Sequence, residues 1–115
     1  MRLVLTWLVG TVAIMSSVAA HASEIEMPKA PGDKGKYFLL DLSRKNSIIT
    51  TLHKRVGVTA TGYSKTEINC KTEQYRDVAY SEDGPAKLKP MPGSKWTDLV
   101  YGSSKSYLAA FACSR

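Results

Sequence analysis

Residues 103–113, with the sequence Ser-Ser-Lys-Ser-Tyr-Leu-Ala-Ala-Phe-Ala-Cys, decide the fold class that we predict for this chain. One of the two leading serines is a good N-cap, and the residues after it favour a helix. Leu108, Phe111 and Ala112 have the spacing i, i+3 and i+4, which places them on one apolar stripe. Because a helix this short is unstable alone, we expect it to pack against a larger element.

Four segments before this helix have strand character, and they lie at residues 37–42, 47–58, 63–70 and 73–80. The first is short, aromatic and apolar, as a mostly buried strand is. The third alternates in polarity, and we place the side that carries Ile68 and Cys70 inward. Residues 87–93 are interrupted by prolines and predict an edge segment or a loop. We therefore predict an α+β domain, a small antiparallel β-sheet of about four strands with one C-terminal helix packed on it.

The segment 47–58 alternates along its length and carries apolar residues on both sides. One side holds Ile48, Leu52, Val56 and Val58, and the other holds Ile49, Thr51, His53 and Arg55. We interpret the first side as the apolar face and expect His53 to be exposed on the second. No nucleophile motif supports a catalytic role for His53, and no Gly-rich phosphate loop occurs. We therefore predict no catalytic residue, no cofactor site and no enzyme activity.

The beginning of the chain has the pattern of a cleavable export signal. A short positive start is followed by the apolar residues 3–15 and by a small-x-small cleavage site that ends at Ala22. A spanning helix needs roughly 20 apolar residues, which this core does not reach. We predict a signal peptide at 1–22, a flexible lead rich in Pro and Gly at 23–36, and a single domain at 37–115. We expect no transmembrane span after cleavage and a periplasmic or secreted, cell-surface location.

Two cysteines, Cys70 and Cys113, follow the predicted cleavage site. An even number of cysteines in a small exported domain predicts a disulfide, because the compartment is oxidising. Two free thiols and a metal pair are the alternatives. A metal site is disfavoured, since His53 is the only histidine after the signal and the spacing is not that of a zinc site. A bridge across this loop would stabilise the domain by roughly 4 kcal/mol and would fasten the helix to the sheet.

The chain is basic, with a formal net charge of +6. Removal of the signal leaves 15 Lys and Arg against 10 Asp and Glu, a net charge of +5. The basic residues are spread along the chain, so one interpretation is a solvated surface. The other is attraction to a protein partner or an anionic surface, such as a host matrix protein, a glycan or an envelope component. No nucleic-acid motif is present, so nucleic acid is not an expected partner. The sequence does not distinguish a monomer from a homo-oligomer.

The chain from Tyr37 onwards resembles the surface-adhesin protein E family of small exported bacterial proteins. The resemblance rests on Ile-Asn-Cys at 68–70, an Arg-containing strand, a Gly turn, Trp-x-x-Leu, and a Ser-led helix closed by a terminal Cys. It implies a Cys70–Cys113 pair, Arg76 on the strand after the first cysteine, Trp96 ahead of the helix, and Ser103 or Ser104 at the helix start. It also implies host-protein binding.

Tyrosines beside basic residues are the candidate binding residues. Most tyrosines are expected to pack in the sheet or against the helix, but an exposed Tyr beside Lys or Arg makes a good protein-binding surface. We select Tyr63, Lys65, Tyr75 and Arg76. The predicted function is an exported non-catalytic binding module of the envelope, similar to an adhesin. The alternative is a periplasmic accessory or structural component of a secretion or transfer apparatus.

Overall fold

An antiparallel sheet dominates the computed structural model, which describes residues 24–115. The elements are β1 (Ile25–Met27), β2 (Lys36–Lys45), β3 (Ile48–Val56), β4 (Thr61–Asn69), β5 (Gln74–Ser81), β6 (Lys89–Pro90), β7 (Thr97–Asp98) and α1 (Ser104–Cys113). The strands pair in the order β1-β2-β3-β4-β5-β6, and β7 also pairs with β5. The predicted signal peptide at 1–22 lies outside the described residues.

The predicted architecture of an antiparallel sheet with one C-terminal helix is confirmed, with more strands than expected. The sheet has seven strands rather than about four, because three short strands lie beside the four long ones. Residues 89–90 of the Pro-broken segment form an edge pair with β5, as the sequence predicts. The protein is mostly β, with the helix as its one long α element among the described residues.

The helix α1 and one face of the sheet enclose the core. Ile49 and Ile68, on β3 and β4, are directly opposite in the register and fully buried. Leu108, Ala109 and Ala112 are buried against this face, whereas Phe111 of the predicted stripe is only partly buried at its edge. Burial of a side chain such as Ile contributes about 1.5–3 kcal/mol. Since Ala109 and Ala112 are small, the helix can lie close to the strands below it.

The ends of α1 are both fastened. At its start, the Ser103 Oγ accepts a hydrogen bond from the Ser106 N–H, so Ser103 is the N-cap. At its end, Cys113 forms a disulfide with Cys70, which directly follows β4, and the two Cα atoms lie 5.9 Å apart. The predicted bridge is therefore confirmed. No helix within residues 24–115 is long and apolar enough to cross a membrane.

The prediction for the faces of β3 is wrong. Ile49, Thr51 and His53 are the buried residues of this strand, while Ile48 and Leu52 are only partly buried. His53 is 5% exposed, although the sequence pattern predicts an exposed side chain. The physical reason is that β3 has apolar residues on both sides, so its own pattern does not select the face that α1 covers.

The prediction of a flexible lead at 23–36 is also corrected. Residues 25–27 form β1, which pairs with β2 in the register Ile25↔Leu39 to Met27↔Tyr37. Met27 is 5% exposed and belongs to the core. The prolines and glycines of this segment lie after β1 rather than within it, so they do not interrupt the pairing.

Candidate functional site

The sheet has two faces with different surroundings. We call the side that packs against α1 the covered face, and the opposite side the open face. Residues directly opposite in an antiparallel pair share a face, so the register assigns each side chain. The central part of the open face consists of Phe38, Asp41, Ile48, Thr50, Leu52, Lys54, Tyr63, Lys65, Glu67 and Arg76. Most of these side chains are partly exposed, so the open face combines apolar, aromatic and charged groups at the surface.

The structure brings three of the four candidate binding residues together. Tyr63 and Lys65 lie on the open face of β4, and Arg76 lies on the same face of β5, opposite Glu67. Tyr75 lies on the covered face instead, opposite Ile68, where it packs against the core. Neighbouring residues of a strand point to opposite sides, so Tyr75 and Arg76 cannot belong to one surface.

One end of the open face carries a groove, which we call the Trp96 groove. The Arg76 guanidinium lies over the Trp96 ring, 4.6 Å from its centroid, and its Nε donates to the Glu67 Oε1 at 2.6 Å. The groove has a volume of about 350 Å³, and Lys45 and Ile48 also line it. The Glu67 contact holds the Arg76 plane against the ring, so the indole and guanidinium form one rigid wall.

The other end of the open face is also aromatic and basic. The Lys54 ammonium lies 5.3 Å from the centroid of the Phe38 ring and pairs with the Glu24 carboxylate. Tyr63 lies directly opposite Lys54, and Lys65 follows towards the centre of the face, opposite Leu52. The methylene chains of such lysines cover apolar surface while their charges stay in water. This end of the open face therefore combines aromatic surface with the charges of lysines.

A second concave region, the His53 cleft, lies on the covered face beside the start of α1. It has a volume of about 280 Å³, and His53, Arg55, Tyr80, Ser104 and Lys105 contribute to its lining. Burial, with a further contribution from the positive charge of Lys105, lowers the pKa of His53 to about 4. His53 is therefore neutral at pH 7.

Two ion pairs hold the cations of the His53 cleft. The Lys105 Nζ lies 2.9 Å from the Asp77 Oδ1, which also accepts from the Thr66 hydroxyl at 2.6 Å. The Arg55 Nη2 donates to the Asp33 Oδ1 at 2.9 Å. Asp33 also accepts from the Tyr37 hydroxyl, and this bond, with those from the Gly35 N–H and Arg55, holds the Asp33 pKa well below its ordinary value. Both carboxylates are thus already occupied by donors.

Sequence reasoning missed the open-face role of Phe38, Leu52 and Trp96. The strand register, which the sequence alone does not provide, places Phe38 opposite Lys54 and Leu52 opposite Lys65. No group of three or more His, Cys, Asp or Glu within residues 24–115 is placed to hold a metal ion. Comparison with family models, curated proteins and solved structures found no match for this chain.

Proposed function

We propose that the protein is an exported, non-catalytic binding module of the cell envelope, and that the open face of its sheet holds a protein partner. The observation that carries this proposal is the difference between the faces. One is closed by α1, whereas the other leaves Phe38, Leu52 and Tyr63 partly exposed among lysines. Exposed aromatic side chains are enriched at the centres of protein interfaces, and charged side chains such as these lysines belong to the polar rim.

The charges of the open face favour a partner with an acidic surface. Lys54 and Arg76 pair with Glu24 and Glu67, but Lys65 has no ion pair within residues 24–115. Lys65 stands beside Tyr63 and Leu52 at the centre of the face. Without the proposed signal peptide the chain carries a net charge of +5, which would accelerate the approach of an acidic surface.

The proposal includes a location in the periplasm or at the cell surface. The Cys70–Cys113 bridge supports an oxidising environment such as the periplasm or the cell surface, because disulfides are rare in the cytosol. The proposed signal peptide at 1–22 and the resemblance to the surface-adhesin protein E family support the same placement. Adhesion at the surface and an accessory role in a periplasmic apparatus share this compartment, so location separates them.

A binding experiment tests the open face directly. The purified protein would be titrated against immobilised extracellular-matrix proteins at low and moderate salt. We expect Tyr63→Ala with Lys65→Glu to weaken binding at least tenfold, because Lys65 lies at the centre of the face and Tyr63 lies next to it on the same strand. Tyr101→Ala with Lys71→Glu is the matched control, since it removes the same groups and the same charge from exposed positions outside the strands. Equal loss in both variants, or no binding at any salt concentration, would contradict the proposal.

Protease treatment of whole cells separates the two locations. Digestion without opening the outer membrane supports the adhesin-like role. Protection until the outer membrane is opened supports the periplasmic accessory role instead.

A further inference from the structure

The start of α1 presents two unoccupied donors to the His53 cleft. Ser104 and Lys105 are the first two helical residues, so their N–H groups have no carbonyl partner within the helix. Neither N–H finds another acceptor within residues 24–115. The Ser103 cap is used by the Ser106 N–H, and the first turn contains no acidic side chain. The positive end of the helix dipole is therefore not neutralised by its own sequence.

His53 independently indicates a ligand at the same place. Its side chain is 5% exposed and lines the cleft. The Nδ1 lies 3.2 Å from the Thr51 Oγ1, which anchors the ring. The Nε2 has no hydrogen-bond partner within residues 24–115. It carries the proton that an oxyanion needs in the tautomer in which the Thr51 hydroxyl donates to Nδ1 rather than to the Thr66 carbonyl, which lies 3.4 Å from the same Oγ1. A buried polar atom without a partner costs free energy, which a bound ligand would remove.

The remaining cleft walls add one further cation, Arg55, and the phenol of Tyr80. A Cβ atom on Gly35 or on Gly57 would lie 2.7 Å from the Arg55 guanidinium, so a larger residue at either position would push this half-exposed side chain away from its present place. In the same way, a Cβ atom on Gly62 would lie 2.6 Å from the Tyr80 hydroxyl. The glycines thus allow a guanidinium and a phenol to lie tightly against the backbone beside the cleft.

We propose that the His53 cleft binds a small oxyanion, the carboxylate, phosphate or sulfate group of a ligand. The donors are the Ser104 and Lys105 amides, the Lys105 ammonium and the His53 imidazole. A cation is disfavoured because Asp77 and Asp33 already accept from Lys105, Thr66, Arg55 and Tyr37. This site lies on the covered side of the sheet and is separate from the open face proposed to hold a protein.

NMR titration of the full chain tests the site. Sodium phosphate and sodium acetate are added at constant ionic strength, with chloride as the balancing anion. We expect saturable and coincident shifts of the Ser104 and Lys105 amides and of the His53 imidazole, which His53→Gln identifies. The bound charge should also raise the pKa of His53. An acetylated dipeptide with a free carboxyl terminus is the third probe. Tighter binding of the dipeptide than of acetate would indicate that a polypeptide end supplies the group.

Two variants with matched controls separate a built site from general attraction. Ser104→Pro removes one amide donor but suits the first helical position, and the extended backbone of Ser103 accepts a following proline. We expect it to weaken binding about tenfold, while Ser104→Ala, which keeps the amide, binds normally. Lys105→Gln should weaken binding by a similar factor, while Lys95→Gln, which removes an equal charge from an exposed position, should not.

Three results would overturn the proposal. The first is the absence of saturation by about 50 mM anion, well above the millimolar range of weak specific binding. The second is equal weakening by Lys95→Gln and Lys105→Gln, which would indicate unspecific charge attraction. The third is unchanged affinity in Ser104→Pro with the helix intact by circular dichroism.

Discussion

The covered and open faces of the sheet come from the same strands but are built differently. On β3, the covered face holds Ile49, Thr51 and His53 out of water, whereas the open face holds Ile48, Thr50 and Leu52 only partly buried. The more polar set is thus the more deeply buried one. The apolar content of its two sides therefore does not select the core side of β3. The position of α1, capped at Ser103 and bonded through Cys113, selects it.

Removal of the disulfide should lower the stability of the protein more than any of the other changes considered below. Cys70→Ala with Cys113→Ala releases the end of α1 from β4 and returns roughly 4 kcal/mol of chain entropy to the unfolded state. A domain of this size has only about 5–15 kcal/mol of stability. Urea unfolding followed by circular dichroism should show a much lower midpoint, and reductant should have the same effect on the wild type. Equal midpoints with and without the bond would show that packing alone holds α1.

The neighbouring isoleucines of β3 compare the two faces at equal chemistry. Ile49→Ala should destabilise the protein by about 2–5 kcal/mol, because Ile49 is fully buried beneath α1. Ile48→Ala removes the same atoms from the open face and should cost about 1 kcal/mol or less. Urea unfolding of both variants measures the difference. A larger loss in Ile48→Ala would mean that the open face is the true core side.

His53 makes the covered face sensitive to acid. Its pKa is lowered to about 4, so the unfolded state binds the proton more readily than the folded state. The stability contributed by neutral His53 is present above its unfolded pKa of about 6.5 and is lost as pH falls towards the folded pKa. Between pH 7 and pH 5 the loss should be about 2 kcal/mol. Unfolding curves across this range measure it.

The matched variant for this prediction is His53→Gln, which keeps a polar side chain without a titrating group. Its stability should depend less on pH between 7 and 5, whatever its absolute stability is. Identical slopes in both proteins would assign the pH dependence to other groups.

The ion pair of the Trp96 groove should give the smallest effect on stability. Arg76→Ala removes the contacts with Glu67 and Trp96, but the Arg76 side chain is 36% exposed. Such pairs contribute about 0–1 kcal/mol, so the unfolding midpoint should scarcely move. The free energy of binding to the matrix proteins should change by more than the free energy of unfolding does. A loss of stability above about 2 kcal/mol would show that the groove supports the fold rather than a partner.

The candidate surface was only partly predictable from the sequence. The tyrosines and basic residues were visible, but Tyr75 and Arg76 could not be assigned to opposite faces until β4 and β5 were in register. The register shifts between Leu39 and Asp41 and between Lys65 and Thr66 add a further difficulty. A bulge places an extra residue in one strand, so counting by two across it assigns the wrong face.

The local features of this protein can be read from its residue types. The N-cap, the apolar stripe of α1, the main strands and the Cys70–Cys113 pair follow from residue types and short spacings, because capping, alternation and cysteine number act locally. The burial of His53 and the pairing of residues 25–27 with the sheet are visible only in the tertiary structure. Both depend on which groups lie opposite across space, which a strand's own alternating pattern leaves undetermined when both of its sides carry apolar residues.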